Sequence, residues 1–278
     1  MKTTQEKLNE IKTSGYEFSF GQVFEQTFEN YKKIALLGGA VIFVFFAVIM
    51  VLSIGLGAML GMATLMSSDL SGLKDPETFT TFTLLSKVGI AVMTAGLIAP
   101  ITAGLLQMAH NAESYKEFNF STAFGHYTSG YFKNIFVATL IISLFSQAFQ
   151  VAFDMFHIYS GASLAYMIPI ALLSGLVGGI IWLLTFFTIP LIIFGNLSAS
   201  EAIKGSFMLV MKKFWVLLIL SLVVFICAML GIIGLCIGIF FTMPIIYSFQ
   251  YIAYRSAVEI DQTDEMEEIG FNEDSRFE

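Results

Sequence analysis

The chain has 278 residues, of which 56% are hydrophobic and 13% are charged. A typical soluble domain is about 25% charged, so this composition excludes an ordinary soluble domain and indicates an integral membrane protein. The formal net charge of −7 lies in residues 255–278, where nine acidic and two Arg side chains occur. We expect these residues to form an acidic, disordered C-terminal tail. Nucleic acid is not an expected partner.

The expected fold class is all-α: a polytopic membrane helix bundle in which six transmembrane helices form three two-helix repeats. A crossing needs about 20 apolar residues to span the ~30 Å hydrocarbon core. Residues 34–68, 88–112 and 134–153 contain no charged side chain and predict the first three crossings. The run 155–200 has a polar start that predicts a turn, followed by a fourth crossing.

The last apolar run, 214–254, contains 41 uncharged residues, which is too many for one crossing. Its one credible break is Gly231-Ile232-Ile233-Gly234, which predicts crossings five and six. A re-entrant hairpin would give the same pattern and stays open as an alternative. We therefore predict a polar N-terminal segment at 1-17, a membrane domain at 18-254 and the tail at 255-278.

The positions of Lys and Arg indicate the orientation, because short cytoplasmic loops retain positive charge. With the N-terminus inside, twelve basic residues fall in cytoplasmic segments, and only Lys74 and Lys87 fall outside. We expect a multi-pass protein of a bacterial inner membrane with both termini in the cytoplasm. Membrane lipids are then its first expected partners.

Each predicted repeat begins with an amphipathic segment that we expect to form a helix in the cytoplasmic interface. The segments start at Ser19, Asn119 and Ser198, which are residue types favoured as helix N-caps. The repeats cover about 18-112, 118-195 and 197-254. The amphipathic segments end in basic residues whose long stems can reach lipid headgroups, namely Lys32, Lys33, Lys133, Lys212 and Lys213.

The even-numbered crossings contain Pro100, Pro190 and Pro244, which we interpret as helix breaks or kinks. One interpretation of the repeat is a duplicated helical hairpin in which the prolines serve packing. The other is a pseudo-threefold bundle around a central cavity, as in a transporter. Glycines four residues apart, such as Gly175 and Gly179, favour close helix packing within the chain, and a homodimer seam is an alternative.

Few residues in the sequence carry chemistry. Asp154 and His157 lie at i and i+3, and we interpret them as an interfacial pair near a helix end. The three His residues are divided between the two predicted sides of the membrane. We therefore predict no catalytic, metal or cofactor-binding residues.

The stretch 196–207, which reads NLSASEAIKGSF, is followed by Met211-Lys212-Lys213-Phe214-Trp215 and an apolar helix. It resembles a signature of bacterial membrane proteins that are similar to the membrane domain of glycerophosphoryl diester phosphodiesterase. The resemblance extends over about residues 18–254 and implies a helical membrane fold rather than an activity. A soluble catalytic barrel of about 250 residues has no room in this chain.

Three functions remain as hypotheses. The first is a non-enzymatic scaffold, or a subunit of an unknown membrane partner, whose interfacial helices contact lipid. The second is a transporter of a small or lipid-like substrate, and the third is a lipid-modifying enzyme. A polar, water-accessible cavity at the midplane beside the three prolines would favour transport, whereas a close-packed, dry centre would favour a scaffold.

Overall fold

The protein is described by a computed structural model that covers residues 3–66, 76–160, 164–233 and 238–258. These residues form α-helices joined by short turns and contain no β-strand, which confirms the all-α bundle. The helices are α1 (Thr4–Ser14), α2 (Phe20–Met66), α3 (Pro76–Glu113), α4 (Phe132–Ser160), α5 (Leu164–Leu184), α6 (Thr188–Ile193), α7 (Ala199–Lys212), α8 (Phe214–Met229), α9 (Gly238–Thr242) and α10 (Pro244–Val258).

Five helical stretches in the described part of the chain are long and apolar enough to cross a membrane. They are Phe20–Val51, Leu85–Glu113, Phe132–Phe156, Ile168–Ile193 and Phe214–Ile232. The predicted sixth crossing corresponds to α9 and α10, two short helices of five and 15 residues. The chain leaves the α-helix at the 3-10 turn Leu230–Ile233, inside the predicted break. Gly234 lies outside the described residues, and the count of six stays a prediction.

We call one end of the bundle the basic end, because the five predicted lipid-interface lysines all lie there. The starts of α4 and α8 and the ends of α3, α6 and α10 meet at this end. The opposite end of the bundle is called the far end below.

The three amphipathic segments fold in three different ways. The first continues into the crossing as a single helix, α2, so the expected separate interfacial helix is absent there. No helix-breaking residue stands between Asn30 and Leu37, which explains this continuity. The second forms a 3-10 helix, Phe120–Tyr127, in a segment whose Gly, Ser and Thr residues disfavour the α-helix. Only the third forms a distinct α-helix, α7.

The predicted capping groups are present in two of the three segments. Asn119 accepts a hydrogen bond from the Thr122 N–H, and the Thr122 hydroxyl accepts one from the Asn119 N–H. The hydroxyl and the N–H of Ser198 both donate to the Glu201 carboxylate, at 2.6 and 3.1 Å. These two hydrogen bonds hold the pKa of Glu201 below its usual range.

The polar N-terminal segment contains a helix that the sequence pattern did not reveal. Helix α1 begins at a capping box in which the Thr3 N–H donates to Glu6 at 2.8 Å. Its apolar residues, Leu8 and Ile11, are buried. Leu8 packs against α7 at Gly205, where a β-carbon would lie 3.2 Å from the leucine. Two buried side chains are too few to give a periodic signal in a polar segment.

Near each of the three prolines, a side chain from another segment donates a hydrogen bond to a backbone carbonyl. Proline has no N–H, so the carbonyl four residues earlier loses its helical donor, and the helix is weakened around it. Helix α3 runs through Pro100 without interruption, and the Tyr127 hydroxyl donates to the carbonyl of Leu97. At the third proline, α10 begins with Pro244, and the Tyr31 hydroxyl donates to the carbonyl of Phe241 at 3.2 Å.

The chain makes a complete break before Pro190, where residues 185–187 form a turn between α5 and α6. The Ser206 hydroxyl on α7 accepts from the Phe187 N–H at 3.0 Å and donates to the Leu184 carbonyl at 2.8 Å. The carbonyl of Phe186, four residues before the proline, accepts a hydrogen bond from the Gln250 amide. The break is therefore held by side chains from two neighbouring helices.

A buried polar network at the basic end ties α2, α3 and α10 together. The fully buried Asn30 donates to the Ala109 carbonyl at 2.8 Å and accepts from the Ser248 hydroxyl at 2.8 Å. Beside it, Arg255 forms a partly buried ion pair with Glu113 at 2.6 Å. Buried polar groups of this kind stabilise a structure only while every partner is present.

Replacing Asn30 by Ala should lower the free energy of unfolding by about 2 kcal/mol, because the Ser248 hydroxyl would be left buried without its acceptor. Thermal unfolding of the purified protein in detergent measures the change. The matched control is Asn9→Ala on the exposed face of α1, which should leave the melting temperature nearly unchanged. Equal effects of the two substitutions would contradict the importance of the network.

Candidate functional site

A large cavity lies beside all three prolines. Its volume is about 870 Å³, and its wall includes Thr102, Thr188 and Tyr247, each two or three residues from one of the prolines. Helix α5 packs on α4 and α7, whereas α8 packs mainly on α10. The cavity occupies the space between α5 and α8, with α3, α4 and α10 closing the other sides.

The cavity opens sideways, between α5 and α8. Its rim consists of exposed apolar side chains, Leu176 and Ile180 on α5 and Leu222 and Phe225 on α8. Its deeper wall is buried and also mostly apolar, with Leu183, Phe186, Val224 and Phe249. Because α5 and α8 belong to stretches that are long and apolar enough to cross a membrane, we expect this opening to face the hydrocarbon of the bilayer.

A few uncharged polar groups interrupt the apolar wall. Thr185 already donates to the Ile181 carbonyl of its own helix at 2.8 Å, and Tyr247 is hydrogen-bonded to Thr102. The Oγ1 atom of Thr188 is buried and has no hydrogen-bond partner among the described residues. No Asp, Glu, Lys, Arg or His is among the described side chains that line this cavity. The site therefore suits a molecule that is apolar over most of its length and offers an uncharged polar group.

Two glycines with the predicted packing spacing line this cavity instead of packing against a helix. A β-carbon at Gly175 or Gly179 would meet no atom within 4 Å. By contrast, a β-carbon at Gly39 on α2 would lie 2.7 Å from the Phe241 ring, as expected for helices in close contact. The packing interpretation was wrong for Gly175 and Gly179 within this chain.

A second cavity of about 380 Å³ lies between α4 and α5, nearer the far end. Gln150, Asp154 and Ser174 line it, and the Ser174 hydroxyl donates to Gln150 at 2.8 Å. Gly175 belongs to the walls of both cavities, so the two spaces are neighbours along α5. The expected pairing of Asp154 with His157 stays a prediction, and Asp154 has a partner on α3.

Asp154 forms an ion pair with Lys87 of α3, with 2.5 Å between Oδ2 and Nζ. Both residues lie near the far end of their membrane-spanning stretches, and the side chains remain 26% and 49% exposed. A charged pair at this depth can be reached by headgroups and water. The side chain of His157 lies outside the described part of the structure.

The predicted lipid-interface lysines differ in their surroundings. Lys33 donates to the Ala112 carbonyl at 3.2 Å and lies over the ring of Tyr115, so it joins α2 to the end of α3. Lys32 pairs with Glu29 at 2.5 Å on the exposed face. Lys133 and Lys212 are exposed at the basic end, and Lys213 is partly buried at the break before α8. Their contact with lipid stays a prediction.

A polar stripe that was not predicted from the sequence runs along α4. Its members recur every three or four residues and so share one helical face: Thr139, Ser143, Gln147, Gln150 and Asp154. Thr139 lines the larger cavity, and Gln150 and Asp154 line the smaller one. A count of charged residues hides such a stripe, whereas the spacing of uncharged polar residues in the run 134–153 would have shown it.

No group of three or more His, Cys, Asp or Glu side chains in the described residues could hold a metal ion. The helices and cavities define a multi-pass, all-α membrane protein. Comparison with known proteins adds no relative: no family model, curated protein or solved structure matches the chain. The resemblance to the phosphodiesterase membrane domain therefore stays a prediction.

Replacing Thr188 by Val should raise the free energy of unfolding of delipidated protein by about 1 kcal/mol, since it removes a buried hydroxyl without a partner. Thr185→Val is the matched control in the same wall, and it should be neutral or destabilising because that hydroxyl is already bonded. Thermal unfolding in detergent compares the two variants. A destabilised Thr188→Val would show that this hydroxyl has a partner in the native protein.

Proposed function

We propose that this protein is a bacterial inner-membrane protein, with both termini in the cytoplasm, that binds and transports a lipid-like molecule. The observation that carries the proposal is the 870 Å³ cavity between α5 and α8, which has an exposed apolar rim. Its wall includes residues two or three positions from each of the three prolines. The proposed transmembrane arrangement has six crossings in three repeats. The basic residues at one end of the bundle support this orientation.

The size and lining of the cavity indicate the kind of substrate. Pockets that bind small molecules usually measure about 300–1,000 Å³, so the cavity is large enough to enclose much of an acyl chain. Its rim and deep wall are mainly apolar, which disfavours a small polar solute. A lipid-like molecule can enter through the lateral opening without passing through water.

The polar groups in the wall restrict the substrate further. With no charged side chain among the described lining residues, an ion carrying net charge would lose its hydration without compensation. Thr188 offers a hydroxyl that can still form a hydrogen bond. The substrate is therefore an amphiphile whose polar part carries no net charge.

A scaffold or partner subunit is the second candidate. The observation that favours it is the side-chain network that ties the basic end together, including the Gln5 amide of α1, which donates to Glu201 of α7 at 2.7 Å. A firmly assembled cytoplasmic end would suit a docking platform for a membrane protein partner. The resemblance to the phosphodiesterase membrane domain supports either role, since it concerns the membrane fold only.

Filling the cavity should abolish binding of a lipid-like probe. Trp182 lines the cavity, and Trp215 is the only other Trp in the chain. In a Trp215→Phe background, bromododecanol in the cavity should quench Trp182 fluorescence saturably, at one molecule per chain. Gly179→Leu should weaken this binding at least about tenfold, because its side chain occupies the cavity without striking a neighbour.

The matched control is Gly178→Leu, which also places a side chain in open space but does not line the cavity. It should bind the probe as the Trp215→Phe parent does. Quenching that never saturates, or that both leucine variants retain unchanged, would overturn the cavity as a binding site.

The proposed orientation is tested with reporters that are active only in the cytoplasm. Fusions at residue 1 and at residue 278 should both be active, because six crossings return the chain to its starting side. A fusion inserted at residue 72, between α2 and α3, should be inactive. An inactive C-terminal fusion would contradict the sixth crossing and leave five.

A further inference from the structure

We propose that the polar face of α4, together with the two cavities, is a track along which a phospholipid headgroup crosses the bilayer while its acyl chains stay in the hydrocarbon. The activity is energy-independent exchange of zwitterionic phospholipid between the two leaflets. This inference rests on the proposed function, because the larger cavity is the entry to the track.

The polar stripe is long enough for this role. Fifteen residues separate Thr139 from Asp154, which at about 1.5 Å per residue is roughly 22 Å of helix. The hydrocarbon core is about 30 Å thick, so the stripe covers most of it. The crossing that carries it, Phe132–Phe156, has the smallest buried share of the five candidate spans.

The stripe is costly in lipid and is not fully satisfied by the protein. Polar side chains inside a bilayer are rare and usually face a protein interior or a wet cavity. The buried Oε1 atom of Gln147 has no hydrogen-bond partner among the described residues. Gln150 accepts a hydrogen bond from the Ser174 hydroxyl of α5. Exposed apolar residues, including Leu144 and Phe149, occupy the adjacent face. A headgroup that moves along the stripe can bond to Thr139 in the larger cavity and to Gln150 and Asp154 in the smaller one.

The opposite wall of the track leaves room for a headgroup. On α5, the walls of the two cavities include Ser174, which has a small side chain, and Gly175 and Gly179, which have none. Neither glycine has an atom within 4 Å of the position that a β-carbon would take. Because Gly175 borders both cavities, the two spaces follow one another along α5 towards the far end.

The ion pair at the far end indicates the type of headgroup. Lys87 and Asp154 present opposite charges side by side, and both remain partly exposed. A zwitterionic headgroup can pair its phosphate with the ammonium and its own cation with the carboxylate. An anionic headgroup would gain one of these pairs and be repelled by Asp154. The larger cavity, which has no charged residue among its described lining residues, also favours a zwitterionic headgroup over an anionic one, since a zwitterion has no net charge.

The test uses the full chain reconstituted into vesicles of phosphatidylethanolamine and phosphatidylglycerol, with trace phospholipid that is fluorescently labelled on an acyl chain. Dithionite bleaches only the outer leaflet, so about half of the label is lost without exchange and nearly all of it with exchange. Wild-type protein should exchange labelled phosphatidylethanolamine at least about tenfold faster than labelled phosphatidylglycerol.

Gln150→Leu interrupts the stripe and should slow exchange about tenfold or more. Phe149→Leu, next to it on the exposed apolar face, is the matched control and should exchange like wild type. Lys87→Gln with Asp154→Asn should remove the preference for phosphatidylethanolamine. The charge-swapped pair, Lys87→Asp with Asp154→Lys, should restore it, which separates headgroup recognition from a loss of folding.

The Trp182 quenching assay separates this inference from the proposed function. Saturable quenching without lipid exchange would overturn the track and leave the binding cavity standing. Exchange without saturable quenching would support the track and overturn the cavity as its entry. Equal slowing by Gln150→Leu and Phe149→Leu would also overturn the track, because it would show that α4 acts only through packing.

Discussion

The structure depends on how it satisfies the backbone near three prolines in a setting without water. In hydrocarbon, a carbonyl with no donor costs several kcal/mol, so a break inside a membrane-spanning helix needs a neighbouring polar group. Tyr127, Ser206 and Tyr31 donate to backbone carbonyls close to the three prolines. All three residues belong to the amphipathic segments at the basic end, so the amphipathic segments and the proline-bearing helices stabilise one another.

These contacts follow a cyclic order. The first amphipathic segment donates to the last proline-bearing helix, the second to the first, and the third to the second. Such an order is what three related hairpins arranged around an axis would produce, and it supports the repeat that we propose. It also explains why the segments can differ in form, since each must deliver only one polar side chain to the correct carbonyl.

Much of the fold could be predicted because apolar run length and capping residues act locally. The uncharged runs predicted the long helices, and Ser198 with Glu201 predicted the start of α7 correctly. The continuous α2 and the 3-10 helix at Phe120–Tyr127 depend on weak local preferences that packing decides. Helix α1 depends on the contact of Leu8 with α7, which lies about 200 residues away along the chain.

The candidate site could not be predicted in the same way, because it depends on which groups lack a neighbour. Gly179 and Gly39 look alike in sequence, yet one borders open space and the other touches Phe241. Thr185 and Thr188 are equally similar, but only Thr185 reaches a carbonyl of its own helix. Whether a residue has a neighbouring atom or a hydrogen-bond partner depends on how the helices pack, so no local sequence pattern predicts it.

The proline break and the cavity have the same physical origin. At residues 185–187 the chain turns between α5 and α6, and Ser206 and Gln250 hold that turn against α7 and α10. On the basic-end side of the break, α6 is buried. On the far-end side, α5 packs on α4 and is separated from α8. An unbroken helix would keep one direction over its whole length. The gap between α5 and α8 is the cavity, and Thr185 and Phe186 of the break before Pro190 form part of its wall.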